Sequence, residues 1–264
     1  MTDIIIFSGQ SNMEGQTEKL LDNSVVKGAY EYKLSSDSLI PLHDPFGENL
    51  RFDGTQGEDY EDYMGMTWHE KHVFGASAYG NTTLIPEFCR VYIEETGREV
   101  IAVGAAKGAA DLNYFMPGTE WYKMLIRKLN GALSKTKDFS GNIYLIWLQG
   151  ESDAIIGKDT DTYIRQIREL SRSLIKDAGL SRFCIIRVGR FTNDKRDDAI
   201  IEAQSRVCKS DNSFLMLTEE ATEMNNIPEY MNPFVGGHFS AAGLTKLGRD
   251  AAKALADEVT KKEP

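Results

Sequence analysis

Runs of apolar residues recur along the chain at residues 3–7, 99–103, 142–148, 182–188 and 213–217. Each run is continuous rather than alternating, which is typical of strands that are covered on both faces. A glycine or a short polar segment follows the first three runs directly. The pattern therefore predicts five strands in the interior of the molecule.

Amphipathic segments with helical spacing lie between these runs or follow them. They cover residues 83–96, 121–133, 159–176, 194–209 and 240–259. In the third segment Tyr163, Ile167 and Leu170 recur at the spacing of one helix face. Strands that alternate with helices predict a three-layer α/β/α sandwich with a mainly parallel sheet. In such folds the ligand site lies beyond the carboxyl ends of the strands.

One segment, at about residues 16–82, does not fit this alternation. It is long, polar and rich in turn signals, and it contains an acidic and aromatic patch at residues 57–63. A loop of this length in a compact domain is usually functional or flexible. The chain shows no repeat or low-complexity tract. We therefore expect residues 1–264 to form a single domain that carries a long loop insertion.

Composition and charge exclude several classes of protein. With 264 residues, 41% hydrophobic and 27% charged, the chain is long enough for a buried core and is not fibrous or disordered. A net charge of −10 argues against nucleic acid or an anionic membrane as partner. No apolar run approaches the ~20 residues of a membrane span. The first residues lack a basic region, so we expect a cytoplasmic protein or a form matured by processing.

The three cysteines, Cys89, Cys184 and Cys208, lack the spacing of metal ligands. Each lies in an apolar or helical context, which favours buried free thiols.

The first predicted strand leads into Gly9-Gln10-Ser11-Asn12-Met13-Glu14-Gly15. A serine in a glycine-flanked turn between a strand and a helix sits at the rim of the sheet. The backbone N–H groups that follow it can face a bound oxyanion. The same segment also fits a helix cap by Ser11 or Asn12, and taken alone that is the simpler interpretation.

Two later strands also end in candidate binding segments. Residues 104–111 are mostly glycine and alanine, and Gly108 would offer an unobstructed backbone N–H. Residues 147–153 read Trp-Leu-Gln-Gly-Glu-Ser-Asp, and Gln149 would aim its amide into the site as a further donor. In isolation, Gly108 fits a tight turn equally well, and Gln149 fits a solvated side chain.

The last signal lies at residues 232–243, where His238 precedes the final predicted helix and Ser240 is its expected N-cap. The other histidines, His43, His69 and His72, lie in the long insertion. His69 and His72 have the spacing His-x-x-His, but no nearby cysteine or carboxylate set completes a metal site. We therefore expect no bound metal.

Together these segments resemble the SGNH hydrolases, and more narrowly the carbohydrate-esterase branch with sialate O-acetylesterases and acetylxylan esterases. The resemblance implies a flavodoxin-like, parallel five-stranded sheet and hydrolysis of acetyl esters on carbohydrates without a cofactor. It also implies roles for individual residues: Ser11 as nucleophile and His238 as general base. The implied oxyanion hole comprises the N–H groups of Ser11 and Gly108 and the side chain of Gln149.

The chain departs from that family at one position. The family usually has Asp-x-x-His, and Val235 stands where the aspartate is expected. A backbone carbonyl in the 234–236 loop, most naturally that of Val235, would fix the imidazole tautomer but would stabilise the imidazolium less than a carboxylate. Glu151 or Glu220 would be alternative acids, and an inactive protein is a third explanation. We favour the carbonyl because the other motifs are intact.

Other classes of protein share parts of this pattern. A non-catalytic carbohydrate-binding protein on the same fold would explain the missing acid. A flavodoxin-like flavin or nucleotide binder is disfavoured because the first loop lacks a glycine-rich phosphate cradle. A thioesterase or lipase-like member of the superfamily would share the fold, but Gln149-Gly150-Glu151 points to sugar esters.

We expect substrate choice to lie in the insertion and in the loop around residues 113–115. Aromatic residues there suit either stacking on sugar rings or local packing: Tyr60, Tyr63, Trp68 and Tyr114. Lys107 and Arg90 are candidate partners for an acidic sugar, although solvated surface charge is the simpler interpretation. Xylan, mannan, a small acetylated sugar and acetylated sialic acid all fit.

Overall fold

The computed structural model of the protein describes residues 1–48, 50–51, 73–74, 82–192 and 194–261. Its strands are β1 (Thr2–Gly9), β2 (Ala29–Lys33), β3 (Ser38–Pro41), β4 (Leu50–Arg51), β5 (Val73–Phe74), β6 (Glu99–Ala106), β7 (Ile143–Leu148), β8 (Arg182–Ile186) and β9 (Phe214–Thr218). Seven of them form one sheet in the order β3-β2-β6-β1-β7-β8-β9, and β4 pairs with β5 separately.

The five predicted strands are β1, β6, β7, β8 and β9, and all neighbouring pairs among them are parallel. The predicted strand count is wrong, because the long insertion supplies two more strands of the sheet. β2 is parallel to β6, and β3 is antiparallel to β2. The polar sequence of β2 conceals this strand, since Glu31 is buried there with two partners: Lys33 forms a 2.9 Å ion pair with it, and the Gly47 N–H donates to it at 3.0 Å.

Helices cover both faces of the sheet. They are α1 (Ser11–Glu14), α2 (Ile85–Thr96), α3 (Glu120–Ser134), α4 (Glu151–Ile155), α5 (Thr160–Ala178), α6 (Asp197–Ser210), α7 (Ala221–Met224) and α8 (Ala241–Thr260), with 3₁₀ turns at Leu112–Phe115 and Pro228–Tyr230. Side chains alternate along β1, so Ile4 packs with α3, α5 and α6, whereas Ile5 packs with α2 and α8. The predicted three-layer sandwich is confirmed. Within the ranges described, no helix is both long and apolar enough to cross a bilayer.

The carboxyl ends of β1, β6 and β7 meet at one edge of the sheet. Gly9, the last residue of β1, is paired with Ala106 on one side and Leu148 on the other. A β carbon on Gly9 would lie 2.0 Å from the Leu148 carbonyl oxygen, so only glycine permits this close approach. The segments after these three strands are therefore neighbours.

Candidate active site

The side chains of Ser11 and His238 meet at this edge of the sheet. Ser11 Oγ lies 2.8 Å from His238 Nε2. Both residues are buried, with 5% and 7% of their surfaces exposed. Ser11 is the first residue of α1, and the preceding Gln10 makes no side-chain cap bond. The capping interpretation of Ser11 is therefore wrong, and its hydroxyl is directed to the imidazole instead.

The other imidazole nitrogen is held by a backbone carbonyl. His238 Nδ1 lies 3.0 Å from the carbonyl oxygen of Gly236. If Nδ1–H donates this bond, Nε2 carries a lone pair toward the Ser11 hydroxyl, which is the tautomer that a general base requires. The acceptor lies within the expected loop at residues 234–236, but the preferred residue, Val235, is wrong. The Val235 carbonyl accepts the backbone N–H of His238 instead, at 3.3 Å.

The loop before His238 is shaped by Asn232. Its Oδ1 accepts the backbone N–H groups of Phe234 and Val235, at 2.9 and 3.2 Å, and its Nδ2 donates to the carbonyl of Gln16 at 2.9 Å. These bonds turn the chain so that the Gly236 carbonyl faces the ring. Asn followed by Pro signals a turn in the sequence, but it does not reveal which carbonyl the turn presents.

Neither candidate acid is bonded to the imidazole. Glu220 pairs with Lys246. Glu151 Oε1 accepts a 2.8 Å hydrogen bond from Asn12 Nδ2, and Asn12 Oδ1 accepts the backbone N–H of Phe239 at 3.0 Å. Glu151 is thus linked to the histidine loop through Asn12, which ties the loop after β1 to the loop before α8. The alternative prediction that Glu151 or Glu220 bonds directly to His238 is therefore wrong.

Burial alters the protonation of both His238 and Glu151. It lowers the pKa of His238, and the hydrogen bond to Gly236 opposes this shift only in part. The imidazole is therefore neutral near pH 7, as a proton acceptor must be. Burial raises the pKa of Glu151 to about 7, although the hydrogen bond from Asn12 favours the charged form. At neutral pH the Glu151 carboxyl is thus partly protonated.

Two of the three predicted oxyanion donors are already bonded within the protein. The Gly108 N–H donates to Glu14 Oε1 at 2.8 Å. The Gln149 amide donates to the Ala110 carbonyl at 3.1 Å and also to Asp153. The predicted roles of Gly108 and Gln149 are therefore not realised in this structure. The Ser11 N–H, in contrast, has no acceptor among the residues described.

Nothing in the sequence indicates that Phe191 belongs to the site. The Phe191 ring packs against the His238 ring, with centroids 5.5 Å apart and an angle of 79° between the planes. Phe191 lies in the loop between β8 and α6, and neither its spacing nor its neighbours indicate this contact. Glu14 was likewise not assigned a role.

The remaining predictions concern residues for substrate binding, metal binding and disulfide formation. Lys107 is buried, so the solvated-surface interpretation is wrong for it, and Arg90 pairs with Glu87. Tyr114 packs edge-on against buried Phe115, with ring centroids 5.5 Å apart. The predictions for Tyr60, Tyr63, Trp68, His69 and His72 fall outside the described residues. The described ranges contain no cluster of three or more metal-ligating side chains, and the cysteines within them are free.

A family model described as "carbohydrate esterase, sialic acid-specific acetylesterase" matches residues 61–257, which is more than half of the chain. The chain belongs to this carbohydrate-esterase family. The esterase is accordingly a carboxylic ester hydrolase of acetylated substrates, and the resemblance drawn from its motifs is confirmed. Gln149 and His238 lie within the matched span, whereas Ser11 precedes it.

Solved structures share the fold of this esterase at low sequence identity. A protein from Arabidopsis thaliana is 16% identical with a TM-score of 0.68, and the match covers 97% of this chain and 98% of that one. A carbohydrate acetylesterase from Xanthomonas citri is 17% identical with a TM-score of 0.55, over 97% and 55% of the two chains. A lipase/acylhydrolase from Enterococcus faecalis is 12% identical with a TM-score of 0.50, over 98% and 97%. No curated protein matches the sequence.

Proposed function

We propose that this esterase removes O-acetyl groups from carbohydrates through a covalent acetyl-enzyme on Ser11. The observation that carries the proposal is the 2.8 Å contact between Ser11 Oγ and His238 Nε2. A nucleophile and a base within hydrogen-bond reach, with the base held by a third group, is the arrangement of covalent ester hydrolysis. Membership of a carbohydrate-esterase family supplies the substrate class.

The reaction proceeds in two halves. Ser11 Oγ attacks the acetyl carbonyl carbon while its proton moves to His238 Nε2. The bond between that carbon and the sugar oxygen then breaks, and the sugar leaves with the proton from Nε2. Water then gives a proton to His238 Nε2 and attacks the acetyl carbon. The bond between that carbon and Ser11 Oγ breaks, Oγ takes the proton back from Nε2, and acetate leaves.

The Ser11 N–H is the donor best placed to bind the oxyanion, since it is at the first residue of α1 and carries no bond to the described residues. Gly108 joins it only when the substrate oxygen replaces Glu14 Oε1 at the Gly108 N–H. Gln149 would have to release Ala110 or Asp153 in the same way. We therefore assign the Ser11 N–H the main share of oxyanion binding.

The Gly236 carbonyl replaces the carboxylate of the usual triad in this proposal. A carbonyl accepts the Nδ1–H and so fixes the tautomer, but it carries only a partial negative charge to stabilise the imidazolium. This arrangement favours catalysis over a non-catalytic sugar-binding role. The imidazole lacks the usual aspartate, but the Gly236 carbonyl holds its Nδ1 in place of that side chain.

Acetate release tests the proposal. The enzyme is incubated with acetylated xylan, acetylated mannan, O-acetylated sialic acid and peracetylated glucose, and Ser11→Ala serves as the matched control. We expect acetate from at least one sugar ester, and loss of that activity and of 4-nitrophenyl acetate turnover in Ser11→Ala with the thermal unfolding midpoint retained. Undiminished turnover in Ser11→Ala would refute the nucleophile. Turnover of acyl thioesters or long-chain lipids alone would refute the substrate class.

A further inference from the structure

The Phe191 ring contacts both the imidazole and the backbone that carries it. The ring lies 5.5 Å from the His238 ring, centroid to centroid, and nearly perpendicular to it. Gly237 has a φ of +75°, and a β carbon there would lie 2.4 Å from two carbons of the Phe191 ring. The chain thus passes over the ring at a distance that only glycine allows, directly before His238.

Four glutamates on the elements around His238 are engaged with other groups. Glu14 accepts the Gly108 N–H, Glu18 accepts the Ala241 N–H at the start of α8, Glu151 accepts from Asn12, and Glu220 pairs with Lys246. Within the described part of the chain, the imidazole nitrogens contact the Ser11 hydroxyl and the Gly236 carbonyl, and the imidazole ring pairs with the Phe191 ring.

We propose that Phe191 is a positioning residue for His238, and that its π face stabilises the imidazolium formed during catalysis in partial replacement of the missing carboxylate. The inference rests on the proposed function. The face of an aromatic ring is electron-rich and attracts a cation whose centre lies within about 6 Å of the ring centroid. A perpendicular arrangement brings the edge of one ring to the face of the other. A β carbon on Gly237 would lie 2.4, 2.4 and 3.0 Å from three adjacent carbons of the Phe191 ring, so the face of Phe191 is turned toward the loop that carries His238.

The same contact fixes the position of the base. With Nδ1 held by Gly236 and the ring supported by Phe191, the imidazole keeps Nε2 directed at Ser11 Oγ. Removal of the ring would free the imidazole to rotate and would remove the electron-rich surface. These two contributions respond differently to substitution, so an experiment can separate them.

Stepwise fluorination of Phe191 isolates the electronic contribution. Site-specific replacement by 4-fluoro-, 3,5-difluoro- and pentafluorophenylalanine withdraws electron density from the ring face while the shape and the burial are almost retained. We expect kcat to fall progressively, by about 3- to 30-fold across the series, with KM nearly constant. The pKa of His238, followed by NMR titration, should fall in the same order.

Phe139, a half-buried phenylalanine before β7 at the opposite edge of the sheet, provides the matched control. The same fluorinated residues at position 139 should leave kcat and the pKa of His238 within about twofold. Phe191→Tyr should retain activity, whereas Phe191→Leu should lose it about as strongly as the pentafluoro variant.

Two results would overturn the inference. One is a kcat and a His238 pKa that do not change along the fluorine series. The other is a pKa that rises with fluorination, which would show that the ring acts only by excluding water. Absence of turnover in the unmodified protein is a separate result: it refutes the proposed function, and with it the catalytic role of Phe191, whatever the NMR titration shows.

Discussion

Ser11 Oγ and His238 Nε2 lie 2.8 Å apart although the two residues are 227 positions apart in the sequence. The sheet brings them together, because β1 ends one residue before Gln10 and α8 begins just after His238. Asn12 reinforces the contact by accepting the Phe239 N–H at 3.0 Å. The fold thus brings Ser11 and His238 together from the first and last segments of its core.

Replacement of His238 by alanine should lower kcat/KM for 4-nitrophenyl acetate by at least about 10³-fold, since the Ser11 hydroxyl loses its proton acceptor. Initial rates at pH 7.5 measure the effect, and the thermal unfolding midpoint shows that the fold is retained. A loss smaller than tenfold in a folded variant would mean that another group takes the proton.

Glu220→Gln should leave kcat/KM within about twofold of the wild type, because Glu220 pairs with Lys246 and is not bonded to the imidazole. Glu151→Gln should lose less than about tenfold, because a glutamine oxygen still accepts the Asn12 amide. The measurement is kcat/KM for 4-nitrophenyl acetate in both variants, compared with that of His238→Ala. A loss in either variant as large as that of His238→Ala would identify that glutamate as the acid and reject the Gly236 carbonyl.

The burial of Glu151 should make the unfolding free energy depend on pH. Because its pKa is raised from 4.5 to about 7 in the folded protein, the folded state holds this proton more tightly than the unfolded state. The resulting stabilisation is complete below the unfolded pKa and is lost as the pH rises through the folded one. Relative to Glu151→Gln, the wild type should lose up to about 3 kcal/mol of unfolding free energy between pH ~4.5 and ~7.5.

Urea unfolding of wild type and Glu151→Gln at four pH values across this range provides the measurement. Asp44, whose pKa burial raises to about 7, is present in both proteins, so its contribution cancels in the difference. A difference that stays constant with pH would show that Glu151 titrates normally.

Gln149→Met tests whether the Gln149 amide stabilises the folded protein or donates to the oxyanion during catalysis. Since the amide is bonded to Ala110 and Asp153, its loss should lower the unfolding free energy by about 1–3 kcal/mol. We expect kcat to change less than about tenfold. A 10²- to 10³-fold loss of kcat at unchanged stability is the signature of a missing oxyanion donor and would restore the predicted role.

The sequence was sufficient to predict the five parallel strands and the pairing of Ser11 with His238. Continuous apolar runs identify buried strands, and the carboxyl ends of parallel strands share one edge. β2 was missed because its buried Glu31 is paired with Lys33, and a sequence pattern does not show which charges are paired.

The details of the site depend on contacts between distant segments, and these were predicted less well. The acceptor for His238 Nδ1 is Gly236 rather than Val235, because the bonds from Asn232 set the turn of the loop. The engagement of the Gly108 N–H by Glu14 joins segments 94 positions apart and leaves no local signal. Spacing identifies which residues meet at the edge, but not which donor bonds to which acceptor.

Labelling with diisopropyl fluorophosphate, followed by peptide mass spectrometry, tests the proposed catalytic roles of Ser11 and His238 most directly. We expect one phosphoryl adduct per chain, located on Ser11, and a labelling rate that falls sharply in His238→Ala. A folded protein that remains unlabelled, or that is labelled at another serine at the same rate with and without His238, would contradict these roles.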